Sequence, residues 1–87
     1  SSFLGPKGYL CKGDSGENVR KLCQFMFDMF PGYASVLRRS KYNLLGPIYG
    51  DNLKAWITEF QKRTGLEADG CVGPITLAEL KKYGFKE

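Results

Sequence analysis

The sequence contains no histidine and only three cysteines among 87 residues. Without histidine, the usual general base for a serine or cysteine nucleophile is absent, and a lysine or carboxylate would have to replace it. Cys11, Cys23 and Cys71 form no CxxC pair, so zinc is not expected, and no metal or other cofactor is implied. An odd count cannot pair fully within the chain, and Cys23 and Cys71 sit in apolar patterns where cysteine behaves as a small buried hydrophobe. Three free thiols are therefore expected. No stretch approaches the roughly 18 uninterrupted apolar residues of a membrane span, and no basic-then-apolar leader opens the chain. The first residue is Ser1 and not Met, which points to a piece of a longer protein.

What is present suits a single core. The apolar fraction is 43%, with six Phe, five Tyr and one Trp, and surface-to-volume scaling gives a chain of this length one domain and not two. A net charge of +4 favours an anionic partner, and both nucleic acid and an acidic cell wall qualify. The basic residues are dispersed, with only Arg38, Arg39 and Lys41 close together. A nucleic-acid footprint concentrates on one element, so that class of partner is disfavoured.

Three helices are expected from apolar spacing. Val19, Leu22, Cys23, Met26 and Phe30 follow one helical face, predicting a helix over about 17–30, with Asp14 or Ser15 as its cap and Pro31-Gly32 as its stop. Leu53, Trp56, Ile57 and Phe60 repeat the pattern, predicting a helix over 51–64 closed by Gly65. Pro74 suits a first helical position, so a third helix runs from there to near Tyr83, with Ile75, Leu77, Ala78 and Leu80 as its apolar residues.

The loop between the second and third helices, 65–73, holds three glycines in nine residues, which calls for positive φ or close backbone approach. It is longer than the short turn of a helix-turn-helix DNA reader. A weak internal echo joins Gly-Pro-Ile-Tyr-Gly at 46–50 to Asp-Gly-Cys-Val-Gly at 69–73, each placing a hydrophobic residue just before a helix-starting glycine. Tyr49 and Val72 would pin the incoming chain to the core. The expected fold is all-α, a compact three-helix bundle with pseudo-repeated loop-to-helix openings and a short extra helix possible in the 31–46 segment.

Several short motifs fall in one order. Phe60-Gln61, Gly65-Leu66, then Asp69-Gly70-x-Val72-Gly73-Pro74-x-Thr76 and Leu80 resemble the second half of the three-helix peptidoglycan-binding domain of phage endolysins, amidases, carboxypeptidases and spore-cortex hydrolases. Gly13-Asp14-Ser15-Gly16 with Val19 and Leu22 is similar to the family's opening, and Tyr49-Gly50 to its aromatic-glycine step. The resemblance covers residues 10–83; residues 1–9 are read as a linker or N-terminal extension, and 10–87 as the domain. It implies a non-catalytic module that binds bacterial peptidoglycan and targets a covalently linked lytic enzyme, such as an endolysin or autolysin, to its substrate. The resemblance also implies a monomer without membrane contact, acting in the cell wall or periplasm after secretion or phage release. The competing reading is a basic nucleic-acid-binding or protein-interaction module. The fold is similar, too, to the inhibitory prodomain of matrix metalloproteinases, but that family's Pro-Arg-Cys-Gly motif is missing.

The sequence departs from the family at Cys23, Gly46-Pro47 and Leu53, and a longer segment, 31–46, replaces a short connection. Loops on a packed scaffold vary without breaking the core, so this segment is the place to expect specificity. Its Tyr33, Arg38, Arg39, Tyr42 and Asn43, with the adjoining Tyr49, are the candidate ligand-binding residues. Arginines pair bidentately with carboxylates, and tyrosines offer an apolar body with a polar tip. Asp14, Asp69 and Thr76 are read as capping and turn residues, Trp56 as core, and Gln61 as a partner for a loop backbone.

Overall fold

The computed structural model describes residues 2–30 and 48–87. A 3-10 turn at Ser2–Leu4 leads to three helices, α1 (Glu17–Met29), α2 (Asp51–Thr64) and α3 (Pro74–Lys82), and there is no strand among the described residues. The chain is an all-α three-helix bundle. The expected stop at Pro31-Gly32 and the extra helix of 31–46 lie outside the described residues.

Each helix turns its apolar stripe inward. Val19, Leu22, Cys23 and Met26 of α1 are buried, as are Leu53, Trp56, Ile57 and Phe60 of α2. At the end of α2, Gly65 adopts the left-handed conformation at φ 78°, and the Leu66 amide reaches back to the Gln61 carbonyl at 2.8 Å. That pairing satisfies carbonyls the helix end would otherwise leave open.

Two expectations fail at helix starts. No side chain caps α1: its N-cap is Gly16, at φ 124°. The Asp14 carboxylate accepts the Cys11 amide at 2.8 Å and the Lys7 ammonium at 2.6 Å, closing the preceding turn instead. On α3, the buried residues are Thr76, Leu77 and Leu80, whereas Ile75 is 73% exposed and Ala78 faces solvent. At 3.6 residues per turn, positions 76, 77 and 80 share a face and 75 and 78 do not.

The two loop-to-helix openings are a structural repeat. Gly50 and Gly73, the N-caps of α2 and α3, have φ and ψ of −107° and −164°, and −101° and −169°. Their predecessors Tyr49 and Val72 are fully buried. The segment 10–15 bonds to both openings. Leu10 and Val72 exchange amide bonds of 2.9 and 2.7 Å, the Gly13 amide donates to the Tyr49 carbonyl at 3.0 Å, and the Tyr49 amide to Asp14 at 2.9 Å.

Next to the Leu10–Val72 bridge, Cys11 and Cys71 form a disulfide across 60 residues, with Cα atoms 4.5 Å apart. The expectation of three free thiols is thereby corrected. An odd count requires one unpaired cysteine, and that is the buried Cys23, whose thiol burial pushes up to about 11.

The N-terminal extension packs with the rest. Phe3 and Leu4 are buried, and the Asn18 side-chain amide donates to the Phe3 carbonyl at 2.8 Å. Phe3, Phe85, Phe25, Phe30 and Phe60 follow one another edge to face, with ring centroids 5.1 to 6.1 Å apart. Such pairs add to the apolar burial that dominates the core.

Candidate functional site

Several hydrogen bonds converge, among the described residues, on the loop 65–73 and the side chain that organises it. Gln61 is 1% exposed. Its carbonyl accepts the Gly70 amide at 2.9 Å, and its amide nitrogen faces the Cys71 carbonyl at 2.8 Å and Asp69 Oδ1 and Thr76 Oγ1 at 3.1 Å each. Asp69 Oδ1 also accepts the Cys71 amide at 3.0 Å. These contacts make Asp69, Gln61 and Thr76 the frame of the loop, as their residue types suggest.

Besides Gly65 at the end of α2, glycine is required at one further point of the loop. Gly70 has φ 78°, and a Cβ there would lie 2.8 Å from the Lys54 side chain. Gly73 is extended, with open space around it, so its role is that of a helix start.

Of the sequence-predicted ligand residues, Tyr33, Arg38, Arg39, Tyr42 and Asn43 lie outside the described residues. Tyr49 is described, and it is fully buried. Its hydroxyl donates to the Gly70 carbonyl at 2.6 Å, and burial, followed by the negative charge of Asp69, raises its pKa far above the ordinary 10. The expected place of Tyr49 on a ligand surface is corrected: it is a core residue that ties the two openings together. Trp56 is also core, at 1% exposure, with its indole N–H directed at the Phe30 carbonyl at 3.3 Å.

Most of the carboxylates are engaged in ion pairs and turns. Asp51 pairs with Lys12 at 2.6 Å, Glu59 with Arg63 at 2.6 Å, and Glu79 with Lys82 at 3.3 Å. The Lys7 ammonium and then the Cys11 amide hold the Asp14 carboxyl below its ordinary 3.8. Among the described residues no group of three or more His, Cys, Asp or Glu is placed to hold a metal, and no helix is long and apolar enough to cross a membrane.

Among the described residues, concavities open on the surface. One of about 430 Å³ lies between the N-terminal segment and the start of α1, with the Lys7–Asp14 pair on its lining. A smaller one of about 180 Å³ lies beside the loop 65–73 and Ile75. A third, about 520 Å³, runs between α1 and Phe85-Lys86. Sequence reasoning missed this third groove, because it is assembled from the polar face of α1 and a tail nearly 60 residues later.

Three short helices, two repeated openings and a loop frame of buried hydrogen bonds define a small helical domain of the wall-binding type. Residues 35–86 match the peptidoglycan binding domain family, and the chain belongs to it. A domain of this family is non-catalytic by itself. The match takes in α2, the loop and α3, and leaves α1 and the Gly13–Gly16 opening outside. No curated protein matches the chain in sequence.

Proposed function

We propose that this chain is the wall anchor of a peptidoglycan hydrolase, an endolysin or autolysin whose catalytic domain is encoded elsewhere in the same polypeptide. The observation that carries the reading is the family match over residues 35–86. The Cys11–Cys71 disulfide supports a site of action outside the cytoplasm, in the cell wall or periplasm, where such bonds persist. The anchor acts as a monomer and raises effective concentration: a tethered catalytic domain meets its next bond locally and not by diffusion from bulk.

Recognition is assigned to the 31–46 segment, where Arg38 and Arg39 pair with stem-peptide carboxylates while Tyr33, Tyr42 and Asn43 contact the polymer. Arg38→Ala combined with Arg39→Ala should weaken binding to purified peptidoglycan about tenfold, which is ~1.4 kcal/mol of lost charge-assisted hydrogen bonding, with the melting temperature unchanged. Undiminished binding by that stable double variant, and by Tyr42→Ala, would remove the segment from the recognition surface. Tight duplex DNA binding with a steep salt slope and no wall binding would favour a nucleic-acid module instead.

A further inference from the structure

We propose that the groove between α1 and Phe85-Lys86 is a peptide subsite, which takes the carboxylate- and amine-bearing stem peptide of peptidoglycan and not its glycan. This rests on the anchoring function and says which part of the polymer is held. The groove is open to solvent and offers about 520 Å³, within the roughly 300–1,000 Å³ of small-ligand clefts.

Its floor argues against a sugar. Phe25 and Phe85 meet edge to face, with centroids 5.1 Å apart and an interplanar angle of 74°. Phe85 is only 5% exposed, so its ring face is not free for a pyranose to lie on. Elsewhere, Trp56 and Tyr49 are buried, and the exposed Tyr9 has the Lys7 ammonium 4.9 Å from its ring centroid. The exposed Phe27 and Tyr83 lie outside this groove, packed edge to face on Trp56 and on Phe30 and Phe60 respectively. The accessible apolar surface of the floor is the half-buried Phe25, which suits the side of a small aliphatic residue such as the alanines of a stem peptide.

The walls argue for a short peptide with charges of both signs. Arg20 and Lys21 stand on the first half of α1, and Lys86 lines the groove from the tail. Lys86 has no hydrogen bond or ion pair among the described residues. Arg20 has a 3.5 Å contact to Glu17, with both side chains more than half exposed, a pair too open to hold it against a better partner. Lys21 gives one bond to the Glu87 carbonyl at 3.3 Å and keeps further donors. At the other end of the same helix face stands Asp28, one of whose oxygens accepts the Gln24 amide at 2.9 Å.

Along α1 the lining therefore runs from the Glu17 carboxylate through the cations Arg20 and Lys21 to the Gln24 amide and the Asp28 carboxylate, so both signs of charge face the groove. Arg20 and Asp28 are eight residues apart, about 12 Å along a helix axis, the length of three to four extended residues. A stem peptide fits with a carboxylate at Arg20, Lys21 and Lys86, its backbone amides at Gln24, and the free amine of its dibasic residue at Asp28. Apart from Phe85 and Lys86, this lining lies outside residues 35–86, over which the family match runs.

The test is a titration followed by amide NMR, with two probes from one preparation: stem peptides released from purified peptidoglycan by an amidase, and the peptide-free glycan strands left behind. The peptides should shift the Gln24, Phe25, Phe85 and Lys86 amides, and the strands should leave them in place. Arg20→Glu with Lys86→Glu should weaken peptide binding at least about tenfold with the melting temperature unchanged, since both side chains are exposed. Asp28→Asn should weaken the peptide, and N-acetylation of its free amine should abolish the difference between that variant and wild type. Shifts produced by the strands, or unweakened peptide binding in the charge-reversed variant, would overturn the assignment. If intact peptidoglycan is bound while the peptides leave these amides unmoved, the subsite fails and the anchoring function stands. If intact peptidoglycan is not bound either, both fail.

Discussion

Replacing Cys11 and Cys71 together by serine should lower stability by about 4 kcal/mol, the chain-entropy value for a cross-link closing a loop of some 60 residues. The bond matters because of what it joins. It fixes segment 10–15 to the loop 65–73 beside the Leu10–Val72 bridge, adding a covalent link to that pair of hydrogen bonds. Chemical denaturation with and without a reductant measures the effect: reduction should move the wild-type midpoint to that of the serine variant and leave the variant where it was. Thiol titration in denaturant should count one thiol before reduction and three after it. Three thiols without reductant would contradict the cross-link. In the folded protein Cys23 should stay silent to thiol reagents at neutral pH, because burial holds it protonated, with a pKa of about 11.

Gln61→Leu should cost about 3 kcal/mol, even though leucine fills nearly the same volume. The substitution leaves the Gly70 amide and the Cys71 carbonyl without their buried partner, and each unsatisfied group costs about 1–3 kcal/mol. Gln61→Glu separates hydrogen bonding from packing. It keeps an acceptor for Gly70, removes the donor, and sets a carboxyl against Asp69. The pKa of that introduced carboxyl rises in the folded state, so the stability of this variant should be greatest at acid pH and fall as pH rises through the raised value. A Gln61→Leu variant as stable as wild type would show that the loop 65–73 is held by other contacts.

What the sequence made legible was local. The bounds of α2 and its left-handed glycine cap follow from an apolar stripe and a single Gly65, both readable within a few turns of helix. The likeness of the two openings, visible as Tyr49-Gly50 and Val72-Gly73, returns as near-identical backbone angles. What was missed depends on neighbours distant in sequence. Nothing around Cys11 announces Cys71, and an aromatic residue before a helix-starting glycine reads equally well as an anchor or a ligand platform. Tyr49 became an anchor because Gly70 presents a carbonyl to its hydroxyl from 21 residues away. On α3 the helix is nine residues long, too short for periodicity to decide between Ile75 and Thr76. There the Gln61 side chain decides, by drawing Thr76 inward. The groove on α1 was hidden for the same reason: its polar face reads as a solvated surface until Phe85 folds back beneath it, with its amide on the Leu80 carbonyl at 3.2 Å.

Co-sedimentation of the chain with purified, insoluble peptidoglycan tests the central claim most directly. The chain should pellet with the wall polymer in a saturable manner while releasing neither soluble muropeptide nor reducing sugar, as an anchor without catalytic groups requires. A chain that remains in the supernatant, or highly purified material that dissolves the polymer, would contradict the account.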